Sequence, residues 1–146
     1  MIALNLPSFE YQLKNSENKT FIFDVIRKKY IQLTPEEWVR QHFVHLLINQ
    51  KAYPKSLISI EKQLTINKLK KRTDIVVYNN LGLPQLIVEC KAPSIKINQT
   101  VFDQIARYNL NLQAKYLVLT NGLQHFFAEF DLQKQGVTFI DDIPKY

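Results

Sequence analysis

Thr73-Asp74-Ile75-Val76-Val77-Tyr78, then Asn79-Asn80-Leu81-Gly82, then Gln85-Leu86-Ile87-Val88-Glu89-Cys90-Lys91, decides how this chain folds. Two β-branched, apolar runs flank a turn-forming cluster, the pattern of a β-hairpin. Just upstream, residues 57–66 read as another strand. Asn67 to Arg72 reads as a turn rich in lysine and arginine. Three strands at hairpin spacing predict an antiparallel meander, and Pro93 stops the last of them. The meander carries two carboxylates where strands disfavour them: Asp74 opens one apolar run, and Glu89 lies inside another. Side chains alternate faces, so Glu89 and Lys91 share a face and Cys90 points the other way. A hairpin closing over the 14 residues between the acids sets Asp74 and Glu89 side by side.

On either side of the meander the sequence predicts helices. Thr34-Pro35-Glu36-Glu37 is a helix start, with threonine as N-cap, proline at the first position and a capping-box glutamate at Glu37. Val39, Phe43, Leu46 and Leu47 follow at helical spacing, and the helix should end between Asn49 and Ala52. Residues 98–113 read as a second helix with Val101, Ile105, Tyr108 and Leu112 on one face. Residues 115–120 and 126–130 read as two more strands, separated by Asn121-Gly122. At the amino terminus, residues 21–26 read as a strand after a turn at 15–18, pairing as a hairpin with residues 4–13. The order α-β-β-β-α-β with one further strand predicts a mixed-sheet α/β fold. One domain is expected, with an amino-terminal extension or hairpin over 1–32, a core over 33–130 and a carboxy-terminal tail over 131–146.

Asp74, Glu89 and Lys91 together have a chemical use. Adjacent buried carboxylates repel unless a cation lies between them. Two carboxylates with water and a phosphate oxygen match the oxygen shell that Mg²⁺ prefers, and Mn²⁺ is an alternative. Such a metal polarises a phosphoryl oxygen and acidifies bound water. Lys91 could orient that water or neutralise developing charge. A structural ion pair or edge-of-sheet charges would explain the same residues without chemistry.

Composition narrows the classes. The 146 residues are 46% hydrophobic and 22% charged, an ordinary globular balance. Lys and Arg number 19 against 13 Asp and Glu, a net charge of +6 that suits a polyanion. The lone cysteine, Cys90, excludes a disulfide framework or Cys-based zinc site and fits a cytoplasmic setting. With 3 glycines there is no glycine-rich phosphate loop. No apolar run is long enough to span a membrane, and the start lacks a secretory pattern.

The pattern of Asp74 followed by Glu89-Cys90-Lys91 resembles the PD-(D/E)XK nuclease superfamily, although Arg72-Thr73 stand where a proline usually precedes the aspartate. A fuller resemblance runs through residues 26–30 (Ile-Arg-Lys-Lys-Tyr), 33–41 (Leu-Thr-Pro-Glu-Glu-Trp-Val-Arg-Gln), 71–76, 88–93, 102–109 and 119–122. These segments are similar to small bacterial proteins related to the amino-terminal nuclease domain of type I restriction enzyme R subunits. That resemblance implies a restriction-endonuclease-like core and metal-dependent hydrolysis of DNA. It also implies a motor or restriction-modification subunit as a partner, expected on another chain. The alternative is a DNA-binding or adaptor module that keeps the fold without catalysis. A third reading is a basic protein that docks onto a restriction or repair machine.

The resemblance also implies roles for further residues. An acid from the first helix often joins the metal shell; Glu36 is the candidate, with Glu37 as its rival. Gln104 and Tyr108 form a QxxxY pattern on the second helix, either supporting the site or simply a polar residue beside a core tyrosine. Arg40, Lys70, Lys71 and Arg72 are candidate phosphate contacts, with Arg107 and Lys96 weaker ones; a solvated basic turn explains Lys70 and Lys71 equally well. His42, His45 and His125 are expected on the surface. The ring cluster of Tyr116, Phe126, Phe127 and Phe130 is expected in the core.

Overall fold

The computed structural model describes residues 1–66, 69–131, 133–134 and 136–146. Among the described residues, nine strands and two α-helices follow in chain order: β1 (Leu13–Ser16), β2 (Lys19–Asp24), β3 (Lys29–Gln32), α1 (Pro35–Asn49), β4 (Ile58–Ile66), β5 (Leu69–Tyr78), β6 (Pro84–Cys90), α2 (Gln99–Leu112), β7 (Tyr116–Thr120), β8 (His125–Asp131) and β9 (Gly136–Ile140). A short 3₁₀ turn, Lys55–Leu57, leads into β4.

Strands β4 to β9 form one six-stranded sheet in sequence order. All neighbours are antiparallel except β6 and β7, which run parallel because α2 carries the chain across between them. The alternation of β6 sorts the two faces. Leu86, Val88 and Cys90 pack with Val39, Phe43, Val44 and Leu47 of α1. Ile87 packs with Phe102 and Ile105 of α2 and with Leu117 and Leu119 of β7. The sheet is therefore the middle layer, with one helix against each face.

Both helices begin as their sequences dictate. Glu37 N donates to Thr34 Oγ1 at 3.1 Å, and Val101 N donates to Asn98 Oδ1 at 3.0 Å. The second helix ends on Gln113, whose φ of 59° is left-handed, and Asn109 bonds both backbone groups of Ala114 to hold that exit. At Gly122 the chain turns with φ of 86°, and a β-carbon there would meet a Leu4 methyl at 2.8 Å.

The structure corrects the expected layout in several places. The amino-terminal hairpin is a three-stranded antiparallel sheet. Its first strand is Leu13–Ser16, not residues 4–13, and Glu17 and Asn18 turn with φ of 51° and 64°. The second connection turns on Asp24, whose Oδ1 accepts the Ile26 and Arg27 amides and lets β3 follow at once. Lys70, Lys71 and Arg72, expected in a turn, belong to β5; Asn67 and Lys68 lie outside the described residues. The expected tail carries β9, an edge strand whose Phe139 ring lies 5.0 Å from Phe102. His42 is buried, with Nδ1 2.8 Å from Trp38 O, and His125 is half-buried between Thr120 and Asn5.

Phe43 is fully buried where α1 meets the sheet. Phe43→Ala is expected to lower the unfolding free energy by about 3–5 kcal/mol, read from urea denaturation. A loss below about 1 kcal/mol would mean that α1 does not anchor this layer.

Candidate functional site

The acids meet because of strand register. Ile75 of β5 pairs with Val88 of β6, and Asp74 and Glu89 are the next residues along. Asp74 Oδ2 accepts the Cys90 amide at 2.8 Å, so its side chain closes the gap between the strands where the ladder stops. Its Oδ1 accepts Arg40 Nη2, also at 2.8 Å. Both Asp74 oxygens thus have a donor.

Glu89 is in a different state. It is 7% exposed, and its Oε1 has no hydrogen-bond partner among the described residues. Burial, the Asp74 charge and a hydrogen bond with Asp74 raise its pKa, against the opposing ammonium groups of Lys71 and Lys91, to about 7. Glu36, from the first turn of α1, faces the same acids. Burial and the Asp74 charge raise its pKa, while Arg40 and Lys91 pull it down. Lys91 follows β6, half-buried, with its amide donating to Thr120 O at 2.8 Å. The structure therefore draws Asp74, Glu89, Glu36 and Lys91 into one electrostatic group.

Behind that group runs a buried chain of alternating charge. Asp24 Oδ2 accepts Arg27 Nε at 2.6 Å, and Arg27 Nη2 donates to Glu37 Oε2 at 2.8 Å. Glu37 Oε1 then accepts Arg40 Nη1, and Arg40 reaches Asp74. Gln41 Nε2 bridges Asp24 and Glu37 at 3.0 and 2.9 Å. Burial would raise the Asp24 pKa, but the Arg27 amide, guanidinium and charge and the Ile26 amide outweigh it and hold the group below the usual range. Burial also works against the Arg40 charge, and Asp74 and Glu37 more than offset it.

This chain relocates two expected roles. Arg40, a candidate phosphate contact, is 4% exposed and bonded to carboxylates, so it holds Asp74 instead. Glu37 caps through its amide only; its carboxylate serves Arg27, Arg40 and Gln41. Lys71 also leaves the solvated-turn reading: its Nζ lies 3.5 Å from Glu89 Oε1 and 4.1 Å from the Tyr108 ring centre. Tyr108 therefore lines the Glu89 side of the site, although 42% exposed. Gln104, Arg107, Lys70, Arg72 and Lys96 are exposed, and Arg72 pairs with Glu61 at 3.6 Å. Asp24 went unread in the sequence, yet it carries the same mark as Asp74, an acid in an apolar strand.

The donor set can be tested for a metal on this geometry. No three His, Cys, Asp or Glu side chains among the described residues close into a ready-made cage. A Mg²⁺ ion keeps several waters and takes one or two carboxylates, so a cage is not needed. The orphaned buried oxygen of Glu89 beside Asp74 fits such an ion.

A family model of the type I restriction enzyme R protein N terminus (HSDR_N) matches residues 35–144. The chain belongs to that family. The match takes in α1, both acids, Lys91 and α2. Among solved structures, the chain is similar to the fragment of "a putative HsdR subunit of a type I restriction enzyme" from Vibrio vulnificus. The TM-score is 0.55 and the identity 20%, covering 77% of this chain. The chain spans only 24% of that one. It is also similar to "a putative nuclease" from Anabaena variabilis, with a TM-score of 0.50 and 15% identity over 88% of this chain and 80% of the other. No curated protein sequence matches. The fold is restriction-endonuclease-like, as the resemblance implied. Among the described residues no helix is long and apolar enough to cross a membrane.

Two measurements probe the electrostatics. Arg40→Met leaves Glu37 and Asp74 without their shared partner and should cost about 3–5 kcal/mol of stability at neutral pH; a near-neutral effect in urea unfolding would remove Arg40 as the organiser. For Glu89, the folded pKa lies above the ordinary carboxylate value of 4.5, so the native state binds the extra proton. Its contribution to stability therefore falls as pH rises from about 5 to about 8. His42, His45 and His125, with lowered pKa values, act in the opposite direction, so the difference between proteins is what counts. Glu89→Gln should gain melting temperature relative to wild type across that window, and parallel curves would contradict it.

Proposed function

We propose that this chain is a metal-dependent nuclease acting on phosphodiester bonds in DNA. The observation that carries the reading is the pairing of Asp74 with Glu89, whose buried Oε1 lacks a hydrogen-bond partner, beside Glu36 and Lys91. The family supports a restriction-modification setting. Asp74 and Glu89 would hold Mg²⁺ or Mn²⁺, with Glu36 reaching it directly or through water. When bound, the metal supplies Lewis-acid polarisation of the phosphoryl oxygen and a more acidic water.

The chain's own residues do the rest. Asp74 is fixed by Arg40 and the Cys90 amide, so one acid is oriented before any ligand arrives. Glu89 is less committed, being held between its neutral and charged forms near neutral pH. Lys91 extends from the end of β6 and would orient the attacking water or meet the charge that develops on the phosphate. Tyr108 borders the Glu89 side. Gln104, one turn earlier on α2, and exposed Arg107, Lys70 and Arg72 would meet DNA outside the acids. A separate motor or restriction-modification subunit remains a proposed partner, and the cytoplasm the proposed location.

Incubating the purified chain with circular and linear DNA in Mg²⁺ or Mn²⁺ tests the reading. Cleavage is expected, and Asp74→Asn, Glu89→Gln or Lys91→Ala should each reduce it by about a hundredfold or more. Binding without cleavage under every metal would favour the adaptor reading, and cleavage that survives in Asp74→Asn would sink the assignment.

A further inference from the structure

Among the described residues, Lys71 is the cation nearest the orphaned oxygen of Glu89. It lies on β5, three residues before Asp74, with its side chain 21% exposed. Its Nζ stands 3.5 Å from Glu89 Oε1, close enough for attraction but at the limit of a hydrogen bond. The Tyr108 ring takes the other side of the ammonium, 4.1 Å from its centre, a cation–π distance. An aromatic face and a carboxylate thus clasp one ammonium from two different elements.

The surroundings leave little else for that space. Thr73, Ile87, Ile105, Asn109, Leu112 and Leu117 wall the void beside Lys71 and Glu89, and its free volume is about 10 Å³. That is about room for one water, so on this side of Glu89 little besides Lys71 fits. Charge argues the same way: an ammonium beside the donor oxygen repels a second cation, and inside a protein the repulsion is weakly screened. Lys71 and a metal at Glu89 are therefore competitors.

We propose that Lys71 is the resident cation of this site, holding the Glu89 carboxyl group while no divalent ion is bound and leaving that place when one binds. The inference rests on the metal-site reading of Asp74 and Glu89. It makes the metal-free site a closed state, in which Lys71 and Tyr108 keep the acidic cluster partly neutralised. Lys71 is already 21% exposed and the neighbouring Tyr108 is 42% exposed, so the long side chain can reach solvent beside the ring.

Calorimetric titration of the full chain with Mn²⁺ tests this. Lys71→Met should tighten Mn²⁺ binding about tenfold, whereas Lys71→Arg, which keeps the charge, should stay near wild type. Lys70→Met removes an equal charge from the exposed neighbouring position and should change little. Unchanged or weaker binding in folded Lys71→Met overturns the inference, as does equal tightening in Lys70→Met. If Lys71→Met does not fold, Tyr108→Leu takes its place: freeing the ammonium from the ring should also tighten Mn²⁺ binding, and no gain overturns the inference. Wild-type binding that disappears in Glu89→Gln, with no gain in Lys71→Met, defeats this inference alone. Absence of Mn²⁺ binding in wild type, Lys71→Met and Tyr108→Leu defeats the metal-site reading and the inference together.

Discussion

Five ionised side chains in a row, Asp24, Arg27, Glu37, Arg40 and Asp74, hold this molecule in register. Three of the five, Asp24, Glu37 and Arg40, are buried and the other two are half-buried, and no buried charge is tolerable without a partner. Each therefore dictates the position of the next. Asp24 ends a strand of the small sheet, Glu37 and Arg40 stand on α1, and Asp74 begins the apolar half of β5. The small sheet, the helix and the large sheet can dock in only one relation that pairs all five. Replacing such a chain by apolar side chains need not cost stability, but losing a single member leaves a naked charge inside. Its value is positional: Asp74 arrives at the site with both oxygens already directed.

The contrast between the two neighbouring acids follows from that chain. Asp74 receives a guanidinium and a backbone amide. Glu89, one strand away, faces the α2 side, where Ile87, Ile105 and Leu117 offer no donors. Although the Lys71 ammonium stands 3.5 Å away, burial and the Asp74 charge push the Glu89 pKa up to about 7. The two carboxylates thus differ in what holds them: Asp74 is fixed by two donors, while Glu89 is able to change partner.

The meander was legible because its residues are locally consistent. β-branched runs, an Asn-Asn-Leu-Gly turn and Pro93 all point to the same strands. The register followed from that spacing, so Asp74 and Glu89 could be placed together before any coordinates. β9 was not legible: Gly136–Ile140 is short and mostly exposed, and its place depends on pairing with β8 rather than on its own pattern. Lys70 to Arg72 read as a turn because basic residues dominate, yet β4 supplies a ladder that extends β5 through them. Arg40 misled for a related reason. Sequence shows a guanidinium on a helix, but not that Glu37, three residues back, and Asp74, 34 residues on, would enclose it. The Lys71–Tyr108 contact joins a strand to a helix across the chain and has no local sequence mark.

Topology explains why the acids collect at this end of the sheet. β6 is antiparallel to β5 and parallel to β7, so it marks the change of direction within the sheet. The chain leaves β6 after Cys90 and must cross over through α2 before returning as β7. Glu89 and Lys91 stand at that end of β6, and the β5 register brings Asp74 to the same level from the next strand. Arg40 comes in from the helix on one face and Tyr108 from the helix on the other. Acids from one hairpin are thus supported by both outer layers, and the exposed Gln104 and Arg107 lie on the same helix as Tyr108.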